Sequence, residues 1–408
     1  MTMQTPIPHK VGITLALIQL FFTLTWTLYV IFLPQLAAQV GFAKETVLVI
    51  LMMDQLIFLL ADTAMGVVAD KSVRVFGRLG RWVVLVTLVS CLAFLLLPLV
   101  AAQGQTAQWV FLACIITWSV SSSALRAPPL VLLGKYATLP AIPWLASLSF
   151  VGIGIAGALA PYLSVSLRGF DPRWPFALSS AALALATLGI VWAERALKQG
   201  GAPLKTVVTT SDELVAMKPP VAPFLAGMAL LGFGFQIHFS LNSAPQYLRF
   251  AKPAELEFLM PVFWIGFSLL MLAASRLTAR YGGVLVMGVA GCVGALATYA
   301  STIAGTLGLL IAAQFVAGGA WGILMMSAFT SALVIGRIGR EGLVTGAMFS
   351  LLALAAFARI ALVAFHLNKD TQFAPLLAWL PTAAWAVAGM LLLGMACLLR
   401  GQRLAKAS

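Results

Sequence analysis

Four charged side chains lie inside long apolar segments, where ionisable groups are rare. Asp54 and Asp62 lie in the second apolar segment, Arg126 in the fourth and Arg359 in the eleventh. A charge is costly in hydrocarbon, so such groups usually face an aqueous cavity and pair with an opposite charge. Their chemistry would be proton or cation binding by the carboxylates and anion binding by the guanidinium groups.

Polar and aromatic side chains also recur at helical spacing in the first and seventh segments. Gln19, Thr23, Trp26 and Tyr29 follow this spacing in the first segment. Gln236, Ser240 and Ser243 follow it in the seventh, where His238 and Asn242 are polar neighbours. A polar stripe in an apolar helix favours contact with an aqueous cavity, and aromatic rings suit stacking on a flat ligand face. Hydrogen bonding between neighbouring helices is the alternative for each of these residues.

A short motif follows the second segment. Asp62, Gly66 and Asp70 are spaced by four residues and therefore share one helix face, where the glycine would let another helix approach closely. The turn that follows is basic. Its candidate functional residues are Lys71, Arg74, Gly77, Arg78 and Arg81. We expect Asp70 to face the positive N-terminal end of a neighbouring helix, or the turn to act as a topology anchor alone.

The elements that must position these residues are membrane-spanning helices. Of 408 residues, 62% are hydrophobic and 9% charged, and apolar runs of spanning length recur along the chain. The predicted spans are Val11–Leu33, Thr46–Val68, Trp82–Leu99, Trp109–Leu132, Trp144–Val165, Trp174–Trp192, Val221–Leu241, Phe258–Ala274, Val284–Ala304, Leu307–Val334, Leu343–His366 and Leu377–Leu399. Pro128 and Pro129 are expected to break the end of the fourth span.

The distribution of charge sets the predicted orientation. The net charge of +13 is spread over short loops, which favours a membrane surface and not nucleic acid as the partner. Most lysine and arginine residues lie on the side of the two termini, so both termini are predicted to be cytoplasmic. The four cysteines lie in apolar spans without disulfide or metal spacing and are interpreted as packing residues.

The chain divides midway into two halves. We predict a six-helix half at residues 1–193, a cytoplasmic linker at 194–220 and a second six-helix half at 221–408. A weak internal repeat supports this division, because residues 69–77 align without gaps to residues 274–282. Duplicated halves with a site at their interface are typical of transporters.

Twelve spans in two halves, with G-x-x-x-D-[RK] after the second, resemble the major facilitator superfamily. Gly66, Asp70 and Lys71 carry this motif, and Gly77 and Arg78 extend it to a longer form. The longer form is similar to that of the glycoside–pentoside–hexuronide:cation symporters (the melibiose permease type) and of the proton-coupled sucrose carriers. The resemblance implies an all-helical membrane fold with spans 1 and 7 lining the substrate cavity.

The resemblance also implies which charged residues meet, because the superfamily fold places span 2 beside spans 4 and 11. Asp62 with Arg126, both ~9 Å from the inner surface, would form a coupling site. Asp54 with Arg359, both ~10–12 Å below the outer surface, would form a latch that closes the outer side. The alternative for both pairs is a static contact that neutralises charge and fixes helix register.

Departures from the symporter pattern decide the coupling ion. Phe58 stands where those symporters have a second carboxylate, and the first span contains no acid. A sodium site needs several clustered oxygen ligands, so a proton is the favoured coupling ion, with no other cofactor and no metal. Arg126 in the fourth span is similar to an arginine of the sucrose carriers.

These features predict a secondary transporter and not an enzyme. The expected activity is proton-coupled symport of a sugar or sugar-like solute across a cell membrane. The bacterial inner membrane is the expected location, and a monomer is the expected oligomeric state. Proton-driven export of amphiphilic compounds or organic anions is the alternative, favoured by the span 5 glycines Gly152, Gly154 and Gly157 and by the membrane arginines. A non-transporting receptor with the same fold is a further alternative.

Overall fold

The computed structural model describes residues 9–76, 79–200, 221–336 and 339–407, and at 72–76, 139 and 402–407 only their backbone. Every regular element in these residues is helical. The predictions for the Arg74 side chain, Gly77 and Arg78 lie outside the described part of the chain. So does most of the predicted linker, from residue 201 to 220.

Twelve helices in the described ranges are long and apolar enough to cross a membrane, as predicted. Numbered as spans 1 to 12, they are His9–Gln39, Thr46–Lys71, Leu79–Ala101, Gly104–Tyr136, Ile142–Ser166, Arg173–Gln199, Val221–Tyr247, Pro253–Tyr281, Gly283–Ile303, Leu307–Ile335, Glu341–Ala364 and Phe373–Gly401. Most are longer than the predicted spans, because the helices continue past the apolar residues into polar ends.

Two spans near the predicted site are irregular. Span 4 consists of a helix at Gln108–Ser122, a 3-10 turn at Ser123–Leu125 and a second helix at Pro128–Tyr136. Pro128 and Pro129 lack the N–H groups that a continuous helix needs, so the predicted break is present. Span 7 changes from an α-helix at Val221–Ile237 to a π-helical turn at His238–Asn242, and then to a helix at Ser243–Tyr247. Such turns concentrate at functional sites.

Because the number of spans is even, His9 and Gly401 lie at the same end of the bundle, which we call the terminal face. The other end, where span 1 ends at Gln39 and span 11 at Ala364, is the opposite face. Spans 1–6 and 7–12 meet mainly through span 2 against span 11 and span 5 against span 8. The terminal part of span 4 also packs on spans 10 and 11.

The first seven residues of the predicted linker are helical, because the helix of span 6 extends to Gly200. Glu194 is buried there and accepts hydrogen bonds from the backbone N–H groups of Leu79, at 3.0 Å, and Gly80, at 2.9 Å. These are the first N–H groups of span 3, so the carboxylate caps that helix and joins spans 3 and 6.

Candidate functional site

The Asp62 and Arg126 side chains form the ion pair that the sequence predicts. Arg126 Nη1 lies 3.0 Å from Asp62 Oδ2, and Asp62 is fully buried. Arg126 follows the 3-10 turn of span 4, just before Pro128, so the helix break is what directs it toward span 2. Counted from the end of span 2 at Lys71, Asp62 lies ~14 Å along the helix, deeper than its predicted span end indicated.

Aromatic rings enclose the guanidinium group. The Arg126 Cζ atom lies 4.8 Å from the ring centre of Phe58 and 5.6 Å from that of Phe349. Phe58 belongs to span 2 and Phe349 to span 11, so Arg126 contacts both halves of the molecule. Phe58 therefore places at this position of span 2 a ring that stabilises a cation.

Asp62 has few partners for a buried carboxylate. Apart from the ion pair, neither of its oxygens accepts a hydrogen bond of good geometry within the described residues. Asp70, two turns later on the same helix face, accepts two backbone N–H bonds and a lysine contact. Arg126 is therefore the one charged partner of Asp62, whereas Asp70 has two N–H donors and a lysine.

Asp70 caps a helix of the other half, as predicted. Its oxygens accept hydrogen bonds from the N–H groups of Gly342 and Leu343, both at 3.0 Å, at the start of span 11. Lys135 of span 4 lies 3.2 Å from Asp70 and 3.7 Å from Glu341. This cluster ties spans 2, 4 and 11 together at the terminal face, while Lys71 and Arg81 of the motif are exposed.

Glycines bring spans 2 and 11 into backbone contact below Asp62. A Cβ atom on Gly66 would overlap the carbonyl group of Gly342, and one on Gly346 would overlap that of Asp62. Next to them the Thr63 and Ser350 hydroxyls hydrogen bond across the halves at 2.7 Å. The predicted close approach at Gly66 is therefore present, and it closes the terminal face.

The ion pair predicted between Asp54 and Arg359 is not formed in this structure. The Asp54 oxygens accept hydrogen bonds from Tyr29 Oη, at 2.7 Å, and from Ser119 Oγ, at 2.6 Å, both in its own half. Arg359 Nε instead points to Gln236 Oε1 at 3.4 Å. This structure is closed at the terminal face, so a latch that forms when the opposite face closes stays a prediction, and here two buried hydroxyl groups are the partners of Asp54.

Several residues predicted to line a cavity are hydrogen bonded to other groups of their own half. Gln19 is buried and donates to the carbonyl of Leu125, at 3.2 Å. Tyr29 is buried on Asp54, and Asn242 donates to the carbonyl of Leu377 at 2.9 Å. Of the predicted set, Thr23, Trp26 and Gln236 are partly exposed and Ser240 is exposed.

His238 is the centre of a buried polar cluster in the second half. Its Nε2 lies 3.1 Å from Gln314 Oε1, and Gln314 Nε2 donates to Gln246 Oε1 at 3.1 Å. Ser243 Oγ donates to the carbonyl of His238, at 2.9 Å, and the same carbonyl accepts the backbone N–H of Ser243. The predicted placement of His238 in the cavity is therefore wrong for this conformation, and helix–helix hydrogen bonding, the alternative, describes it.

Sequence reasoning missed five residues that build this region: Ser119, Lys135, Gln314, Glu341 and Phe349. Gln314 had a usable signal, since it is the single amide side chain in span 10. The partners of Ser119 and Phe349 depend on helix packing, and no periodicity in the sequence marks them.

A cavity of about 380 Å³ opens at the opposite face, between the start of span 6 and the ends of spans 1 and 3. Gln35, Gln39, Asp171 and Arg173 line it. All its residues belong to the first half, and none of the four charged residues inside the spans reaches it. It is therefore separate from the site around Asp62.

Comparison with solved structures places these features in a known fold. The human organic anion transporter MFSD10 (TETRAN) superimposes with a TM-score of 0.71 at 15% identity, covering 94% of this chain and 99% of that one. A bacterial homologue of the iron transporter ferroportin, in an outward-facing state, gives 0.68 at 13% identity, covering 94% and 98%. The proton:xylose symporter XylE gives 0.62 at 11% identity, covering 94% of each chain.

Sequence comparison assigns the family. A search of curated protein sequences finds no relative. The family model described as Major Facilitator Superfamily matches residues 15–359, which is most of the chain. Together with the twelve spans, this match makes the chain a multi-pass membrane protein and a transporter, not an enzyme. The chain belongs to the major facilitator superfamily.

Proposed function

We propose that this protein is a proton-coupled secondary transporter in which Asp62 binds the coupling proton. The observation that supports this proposal most is the Asp62–Arg126 ion pair. Its carboxylate is fully buried, and the one strong partner of that carboxylate is a cation at the interface of the two halves. A buried carboxylate held by so few partners is suited to gain and lose a proton.

Protonation would change the packing of the two halves through Arg126. With Asp62 neutral, the guanidinium loses its counter-ion and keeps only the rings of Phe58 and Phe349. Because Phe349 belongs to span 11, a movement of Arg126 alters a contact between the halves. Binding of a proton is thereby linked to the equilibrium between conformations, which is the requirement for coupling.

The direction of coupling follows from orientation. The excess of lysine and arginine in the terminal-face loops favours a cytoplasmic terminal face, in a cell membrane. The structure is closed at that face, so in this orientation the site would load from outside. A proton gradient directed inward would then support symport, and an exporter would run the same cycle with solute loaded from the cytoplasm.

The solute class follows from the side chains that stay accessible. The expectation of a sugar came from the resemblance to the symporters and from the predicted cavity residues. Of these residues, four are hydrogen bonded inside one half, namely Gln19, Tyr29, His238 and Asn242. The second candidate, an organic anion, is favoured by Arg359, which is partly exposed and has no acidic partner within the described residues. A small polar solute is common to both candidates.

Proteoliposome transport tests the proposal. The protein is reconstituted with a pH-sensitive dye inside the vesicles, and a panel of sugars and organic acids is added with and without an imposed pH gradient. Wild-type protein should accumulate a solute of the panel and move protons with it. Asp62→Asn should abolish gradient-driven accumulation while leaving exchange of labelled for unlabelled solute intact.

Glu45→Gln is the matched control, because this exposed loop acid lies far from the span 2 site. It should transport as wild type does. Retention of gradient-driven accumulation by Asp62→Asn would refute the coupling role. Failure of every solute to exchange in wild-type vesicles would favour the receptor alternative.

A further inference from the structure

Arg359 is an uncompensated cation inside a membrane span. The described part of the chain contains four ion pairs, and Arg359 takes part in none of them. Its Nε donates a long hydrogen bond, 3.4 Å, to Gln236 Oε1, and its two terminal nitrogens have no hydrogen bond within the described residues. A guanidinium placed this way presents its two-pronged edge, which matches a carboxylate or phosphate.

The position of Arg359 is on the open side of the closed gate. It lies nine residues from Ser350, the hydroxyl that bonds Thr63 across the halves, which is ~14 Å along span 11 toward the opposite face. The end of the span at Ala364 is ~8 Å further. The side chain is partly exposed, on the opposite-face side of the sealed glycine contact.

Within the described ranges, no acidic side chain serves as the counter-ion of Arg359 in this conformation. Asp54, the acid at a comparable depth, is fully buried, and its oxygens are taken by Tyr29 and Ser119. Asp62 lies near the closed gate and is paired with Arg126. An unpaired cation at this depth is costly, and an anion bound beside it would lower that cost.

The surface beside Gln236 is aromatic. Phe239 is one helical turn from Gln236 and shares its face, and it is partly exposed. Its ring stacks on that of Phe235 at 5.9 Å between centres, and Phe235 stacks on Trp321 at 4.3 Å. A flat apolar group next to the anion would pack on this wall.

We propose that Arg359, oriented by Gln236, binds the anionic group of an organic anion with a flat apolar body, which is the transported solute. The inference rests on the proposed transport function and adds the solute class and its binding residue. The anionic group is a carboxylate or a phosphate, since both accept two parallel N–H bonds from a guanidinium.

Thermal stabilisation of the purified protein measures binding without transport. The probes are benzoate, phenyl phosphate and the uncharged analogue benzamide. Benzoate or phenyl phosphate should raise the melting temperature of wild-type protein, and benzamide should not. Arg359→Gln should weaken the affinity for the stabilising anion at least about tenfold. The affinity of Arg359→Lys should lie between those of wild type and Arg359→Gln, because lysine keeps the charge and loses the two parallel N–H donors.

Two variants separate this proposal from its alternatives. Arg249→Gln removes an arginine that bonds the carbonyls of Thr302 and Ala304 at the opposite face, and it should bind the anion as wild type does. Asp54→Asn should also leave anion binding within a factor of about two, because Asp54 is not the partner of Arg359 here.

Three outcomes would overturn the anion site: no stabilisation of wild-type protein by either anion, equal stabilisation of Arg359→Gln, or equal loss of binding in Asp54→Asn. Asp62→Asn distinguishes this failure from failure of the proposed function. Loss of proton coupling with anion binding intact supports the site and the coupling role together. Coupling retained in Asp62→Asn would remove the coupling role and leave the anion site in place.

Discussion

Two carboxylates on one face of span 2 have different surroundings and therefore different roles. Asp70 accepts two backbone N–H bonds and contacts Lys135, so its charge is fixed by three partners. Asp62 is equally enclosed, yet it has one strong partner, Arg126. Removal of a charged partner from a buried pair costs more than removal of both charges, because the remaining charge is left uncompensated.

Arg126→Gln is therefore expected to destabilise the protein more than the double variant Asp62→Asn/Arg126→Gln. The coupling free energy from the double-mutant cycle should be about 0.5–3 kcal/mol, as for other residues in direct contact. Unfolding of the purified protein at neutral pH, followed by tryptophan fluorescence, measures it. A cycle that closes at zero would mean that the two groups do not interact in the folded protein.

Depth and charge were sufficient to predict the contact between Asp62 and Arg126, whereas the partners of Asp54 in this conformation are neutral groups. Asp62 and Arg126 lie at matched depths in neighbouring spans, so their contact could be predicted once the fold was inferred. Asp54 lies in the same span, but its partners are the hydroxyl groups of Tyr29 and Ser119. Hydroxyl groups are frequent in these spans, and nothing in the sequence selects these two.

At the scale of helices, the contact between spans 2 and 11 depends on the absence of side chains. Gly66 faces Gly342, and Gly346 faces the backbone of Asp62. Small residues at such positions let membrane helices approach to backbone contact. Asp62, Gly66 and Asp70 share one face of span 2, which makes this part of the gate predictable from four-residue spacing.

Gly66→Ala should therefore open the terminal face. A Cβ atom at Gly66 would overlap the Gly342 carbonyl and push span 11 away. The hydrogen bonds from the N–H groups of Gly342 and Leu343 to Asp70 would then be pulled apart. Spin labels at the exposed ends Lys71 and Arg280 report the separation of spans 2 and 8 at this face. Their distance distribution should shift to longer values in Gly66→Ala.

Gly394→Ala is the control for this substitution, because no atom lies within 4 Å of the position of its Cβ. It makes the same change in a spanning helix and should leave the label distance unchanged. Its helix propensity gain, up to about 1 kcal/mol, would act in both variants and cannot produce the opening. An unchanged distance in Gly66→Ala would contradict the role of this contact in closure.

Helix irregularities were predictable in one span and missed in another. The break in span 4 follows from two consecutive prolines, which lack N–H donors. In span 7 the π-helical turn at His238–Asn242 precedes Pro245. Pro245 lacks an N–H for the carbonyl four residues earlier, so a signal existed, but a single proline does not specify which helix type replaces the regular turn.

For the whole molecule, the twelve spans and their division into halves followed from hydropathy and loop length, whereas the conformation did not. Cross-half contacts at Thr63, Gly66, Asp70 and Lys135 close the terminal face. The same residues must separate when that face opens, and one sequence encodes both arrangements. Alternating access then requires that a change at one face be transmitted to the other.

Each half has buried aromatic side chains that pack on one another, Phe94 on Trp118 in the first and Trp321 on Trp385 in the second. If the halves rock as rigid bodies, opening of the terminal face by Gly66→Ala must narrow the opposite face. A second label pair at Glu45 and Lys369, exposed residues of the two halves at the opposite face, should therefore shorten as the Lys71–Arg280 distance lengthens. Lengthening at the terminal face alone would show a local distortion of spans 2 and 11, and the coupling of a proton at Asp62 to solute movement would then need another route.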